Sequence, residues 1–84
     1  MASLPLNEIE ERILSFIRDE LIPGVTVGRD EDLLSGDLLD SVAVLRLATF
    51  VDEEFHIGMK PSDFVIENFK TVAVLTDYVH RAQG

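Results

Sequence analysis

Apolar side chains early in the chain recur every three or four positions: Ile9, Ile13, Phe16, Ile17 and Leu21 share one face when "LNEIEERILSFIRDELI" is wound as a helix. The pattern predicts a first amphipathic helix, with Asn7 as its cap and Glu10 three positions on. In "PGVTVGRDEDLLSGDLL" the periodicity stops, and Pro23, Gly24, Gly28 and Gly36 with an acidic run predict a long connection. Leu33, Leu34, Leu38 and Leu39 are expected to pin it to the core. Helical spacing resumes at about Ser41 and runs to Phe55, with Val44, Leu45, Ala48, Val51 and Phe55 on one face, until Gly58 and Pro61 end it. "PSDFVIENF" has room for one or two turns, with Phe64 and Phe69 facing inward. A last helix follows Thr71, its N-cap, and buries Val72, Leu75, Tyr78, Val79 and Ala82.

The fold expected is all-α, a small bundle of three main helices and one short one, with a long loop between the first and second. No strand is required, although "VTV" at residues 25–27 is locally β-prone. With 84 residues and 46% hydrophobic content, one domain spanning residues 1–84 is expected. There is no cysteine, so packing rather than disulfides or thiolate zinc must hold the core. That composition suits a reducing, cytoplasmic setting, and neither a signal segment nor a run of about 18 apolar residues points to a membrane.

Sixteen acidic residues against seven basic ones leave a formal charge of −9. A surface so poor in cations is unsuited to nucleic acid, where each phosphate contact needs one, and better suited to basic protein partners.

Three chemistries fail on spacing. "DEDLLSGDLLDS" opens like an EF-hand loop, but Leu34, Ser35 and Ser41 stand where a ligand, the glycine and the bidentate glutamate belong. Ser41 lacks the Gly-x-Ser-x-Gly elbow of a hydrolase, and His56 falls beyond the far end of its helix, roughly four turns away. His80 suits the last turn of a helix, Met59 and Tyr78 read as packing residues, and no histidine pair or Cys/His cluster suggests a metal. The expectation is a protein without intrinsic catalysis.

What remains is Asp40-Ser41 at a helix start. "LLDSVAVLRLATFVDEEF" resembles the attachment-site helix of acyl carrier proteins, in which Asp-Ser and an apolar residue open a helix ending in acidic residues and a phenylalanine. The likeness extends over nearly the whole chain, from "IEERILSFI" through "DLLSGDLLDS" to "ENFKTVAVLTDYV". It implies that a phosphopantetheinyl transferase attaches the 4′-phosphopantetheine of coenzyme A to Ser41, with Asp40 assisting recognition. The protein would then be a discrete, monomeric carrier of thioester-bound acyl or aminoacyl groups. A loading ligase and downstream transferases or synthases would be its partners.

Leu38 and Val42 depart from the commonest form of the motif. "SGDLLDS" looks more like the Gly-Leu-Leu-Asp-Ser approach of D-alanyl carriers and of some freestanding or peptidyl carriers, which points to a specialised pathway. The outward face of the second helix carries Val42, Ala43, Arg46, Thr49, Phe50 and Glu53, and of these Val42, Ala43, Arg46, Phe50 and Glu53 are the expected docking residues. The competing reading is a small helical interaction module without a prosthetic group, in which Asp40-Ser41 is only a cap.

Overall fold

The computed structural model describes residues 4–34 and 39–83. Four helices succeed one another: α1 (Leu6–Phe16), α2 (Ser41–Phe55), α3 (Ile66–Phe69) and α4 (Val72–Ala82). A π-helical turn (Ile17–Leu21) extends α1, and a 3-10 turn (Pro61–Asp63) precedes α3. No strand occurs among the described residues. The expected bundle is therefore the observed one.

Helix α1 starts at Leu6, and its cap is Pro5, whose carbonyl accepts the amides of Glu8 and Ile9. Asn7, the expected cap, lies inside the first turn. The reason is tertiary: Leu4 packs on the core and its carbonyl accepts Gln83 Nε2 at 2.7 Å, which brings the start forward. Ile9, Ile13 and Ile17 are fully buried, whereas Phe16 and Leu21 are half-covered. After Ile17 the helix widens, and Ile22 N–H donates to the Ile17 carbonyl five residues back.

The described residues of the connection, 22–34 and 39–40, are stapled to the bundle. Val27, Leu33 and Leu39 are buried, and Leu34 is half-covered; Leu38 lies outside the described residues. Leu33 N–H donates to the Lys70 carbonyl at 2.7 Å, Ala73 N–H donates to the Arg29 carbonyl at 2.9 Å, and Arg29 pairs with Glu10.

Helix α2 buries Leu47, Ala48, Val51 and Phe55, with Val44 half-covered. Leu45, expected inside, is 55% exposed, and Leu47, four residues before Val51, takes its place. The helix ends at His56 in the left-handed region, and Asp52 Oδ1 accepts the Met59 amide at 2.8 Å to turn the chain. Phe69 is inside as expected, but Phe64 is 43% exposed and meets Phe69 edge-on. Thr71 caps α4 by accepting Val74 N–H. The α4 stripe is Val72, Leu75, Thr76, Tyr78 and Val79; Ala82 is exposed, because the bundle ends before the helix does. α4 packs against both α1 and α3.

Candidate functional site

Ser41 is the first residue of α2, and its side chain is exposed. The sequence starts a helix there because Asp40 is extended (φ −89°, ψ −177°) and its Oδ1 accepts Ala43 N–H at 2.8 Å. The Asp40 carbonyl accepts Val44 N–H at 3.0 Å. Capping thus uses the third and fourth amides of the turn and leaves those of Ser41 and Val42 directed toward the helix start. With the macrodipole they make the surroundings of Ser41 Oγ favourable to an anion.

Beside Ser41 an open cleft of about 470 Å³ runs between two segments distant in sequence. Ser41, Val44 and Leu45 of α2 form one wall, Phe64, Val65 and Ile66 the other, and Leu34, Leu39 and Phe69 complete it. Asp40 supplies the charge at its mouth; the rest of the lining is almost wholly apolar. Ile66, which lines the cleft, is 67% exposed, and Val42, the residue after Ser41 on α2, is 66% exposed.

The expected docking residues separate into three groups. Val42, Arg46 and Glu53 are exposed on α2, as the helical wheel requires. Ala43 is half-buried and packs on the core. Phe50 is not a free outward ring: it stacks on Phe16 with centroids 4.1 Å apart and meets Phe55 edge-on at 6.2 Å. Arg46 Nη2 reaches the Glu20 carbonyl at 3.4 Å. The residues missed were Leu45, Phe64, Val65 and Ile66. For the last three the signal was the apolar run "FVI" after a proline turn, too short to bury all three side chains; Leu45 belongs to the face of α2 expected to be buried.

Histidine does not reach Ser41 along α2, since His56 follows its last residue, roughly 20 Å away at the helical rise. Among the described residues no group of three or more His, Cys, Asp or Glu is placed to hold a metal. No described helix is long and apolar enough to cross a membrane. Among the described residues the strongest displacement of a titratable group falls on Tyr78, which does not line the cleft. Burial, helped by a hydrogen bond to Asp63, pushes the Tyr78 phenol up to about 12.

A capped serine at a helix start, opening onto an apolar cleft in a short helical bundle, is the arrangement of a carrier domain. No protein-family model matches the sequence. A D-alanyl carrier protein of Streptococcus suis (strain 98HAH33) is 31% identical over 64 residues, which are 76% of this chain and 81% of that protein. The chain belongs to the acyl carrier protein family.

Proposed function

We propose that Ser41 bears a 4′-phosphopantetheine arm taken from coenzyme A, and that the chain holds acyl or aminoacyl groups on it as a discrete cytoplasmic carrier. The observation that carries this reading is the exposed Ser41 hydroxyl on the first turn of α2, capped by Asp40 and opening onto the apolar cleft. The residues fit the group. A phosphodiester on Oγ would meet the amides of the first turn, while the Asp40 carboxylate is engaged with Ala43 N–H. The arm would supply a terminal thiol for thioester formation, and the chain's own side chains include no competing thiol.

The chain's residues would position and shelter the cargo, and partner enzymes would transform it. Asp40 orients the serine by capping, and Val44, Leu45 and Phe64 offer an apolar surface to whatever the thiol holds. A D-alanyl carrier among its relatives favours loading by an adenylate-forming ligase over loading by a malonyl transferase. The apolar, cation-free lining supports the same order, because an anionic acyl end would have no counter-charge there.

Intact mass after incubation with coenzyme A and a broad-specificity phosphopantetheinyl transferase tests the proposal. A single addition, absent from Ser41→Ala, is expected. Modification persisting in that variant would overturn it.

A further inference from the structure

Residues 64–66 form the outer wall of the cleft, yet all three are exposed apolar side chains. Helix α3, which begins within this wall, has four residues and no side-chain cap, far below the length at which a helix persists unaided. Its position must therefore come from contacts with the rest of the molecule. One anchor is Phe69, buried at the end of α3 and met edge-on by the Phe64 ring at 5.4 Å.

The Lys70 carbonyl, which accepts Leu33 N–H, holds the residue just after α3, and a further anchor is Asp63, immediately before the wall. Its carbonyl accepts Val65 N–H at 3.0 Å and Asn68 Nδ2 at 2.7 Å, and its own amide donates to the Lys60 carbonyl at 2.9 Å. These bonds shape the segment but do not attach it to the bundle. At Asp63 attachment comes from the carboxylate, whose Oδ2 accepts the Tyr78 hydroxyl at 3.0 Å. Tyr78 lies on α4 with its ring buried, so the hydroxyl is a fixed point on the rigid part of the molecule.

We infer that Tyr78 and Asp63 are a positioning pair for the cleft: their hydrogen bond holds the wall at residues 64–66 against α4, and so sets how closely the cleft covers a group attached to Ser41. The second half of this statement rests on the proposed modification of Ser41; the first does not. Neither residue lines the cleft, so the pair acts through Phe64 and its neighbours.

Two measurements on the full chain test it. In Tyr78→Phe the ring stays to fill its place while the donor is lost; in Asp63→Ala the acceptor is lost, and in Asp63→Asn an acceptor oxygen is kept. Hydrogen exchange on the unmodified protein should accelerate about tenfold at the amides of residues 65–69 in the first two variants, the factor expected for one hydrogen bond to a charged acceptor. Exchange in α1 and the middle of α4 should stay near wild type, and Asp63→Asn should restore most of the wall's protection. The second measurement attaches a solvatochromic pantetheine probe to Ser41. Its emission should shift to the red in Tyr78→Phe and Asp63→Ala, and not in Asp63→Asn.

Unchanged exchange at the wall, or equal acceleration throughout the bundle, would overturn the inference. So would a wall that loosens while the probe's emission stays put. Failure of the probe to attach at Ser41 would instead sink the carrier reading, leaving exchange to decide whether the pair holds the wall.

Discussion

The ring of Phe50 lies flat on the ring of Phe16, with centroids 4.1 Å apart and planes 9° from parallel. The stack joins the end of α1 to the middle of α2, the region where α2 meets the π-helical turn. A residue placed outward by its position on the wheel is thus a packing residue, because the π-helical extension of α1 brings a second element over that side of α2.

Phe50→Ala should accordingly lower stability, by about 2–3 kcal/mol, below the range for a fully buried phenylalanine because the ring is only half-covered. Urea denaturation reads this as a lower midpoint at unchanged slope. A midpoint equal to wild type would mean that the stack contributes nothing.

Thr76 presents the opposite situation, a polar atom with nothing to bond. It is 2% exposed on α4, and its Oγ1 has no hydrogen-bond partner among the described residues. Thr76→Val keeps the shape and removes the unsatisfied group, so a gain of about 1 kcal/mol is expected. Thr76→Ser, which keeps the hydroxyl and loses the methyl, should lose stability. Thermal melts of the two variants should move in opposite directions.

Tyr78 makes stability depend on alkaline pH. The folded state favours the protonated phenol, whose pKa is pushed up to about 12 by burial and by the bond to Asp63. That contribution is whole below the unfolded value of about 10 and is lost as pH rises through about 12, a change on the order of 2 kcal/mol. Unfolding free energy measured across this window should fall more steeply for wild type than for Tyr78→Phe, which lacks the titrating group. Parallel curves would remove the assignment.

Local signals were the legible ones. The bounds of α2 and the Thr71 cap follow from side chains that bond to amides a few residues away, and both appear in the structure as read. Thr76 was not read as buried: it lies four residues after Val72 on the stripe, but its polarity hid it. Asn7, Leu45 and Phe64 were misplaced for another reason. Periodicity defines a face, whereas the extent to which a face is covered depends on Leu4, on the wall at residues 64–66 and on the end of the bundle. Ser41, the proposed attachment site, stood out in the sequence; the cleft beside it did not, because its walls come from separate stretches of chain.

Asp40 caps α2, and the proposed function gives it a recognition role as well; substitutions can separate the two. Asp40→Ala removes the acceptor for Ala43 N–H and should cost about 1 kcal/mol, whereas Asp40→Asn retains a capping oxygen and should cost little. If the transferase reads the carboxylate charge, Asp40→Asn should nonetheless be modified more slowly than wild type at equal stability. Equal rates for wild type and Asp40→Asn, with a slower Asp40→Ala, would assign Asp40 to capping alone.

Partner docking should centre on the cleft rim rather than on a stripe running the length of α2. Leu45, Val42 and Ile66 are exposed, apolar and adjacent to Ser41, whereas Phe50 is engaged with Phe16. Exposed apolar side chains grouped around one reactive position favour a partner that covers them, and desolvated contacts of this kind govern affinity more than rim charges do. Leu45→Glu should therefore raise the KM for loading by the native ligase about tenfold or more, with little change in melting temperature. Arg46→Glu should slow association chiefly at low salt, through the loss of a cation from an acidic surface, because its 3.4 Å contact with the Glu20 carbonyl is too long to matter much for the fold. Loading kinetics measured at two ionic strengths distinguish the residues: the Leu45→Glu defect should persist in salt, and the Arg46→Glu defect should fade. A Leu45→Glu variant loaded as fast as wild type would move the docking surface away from the cleft.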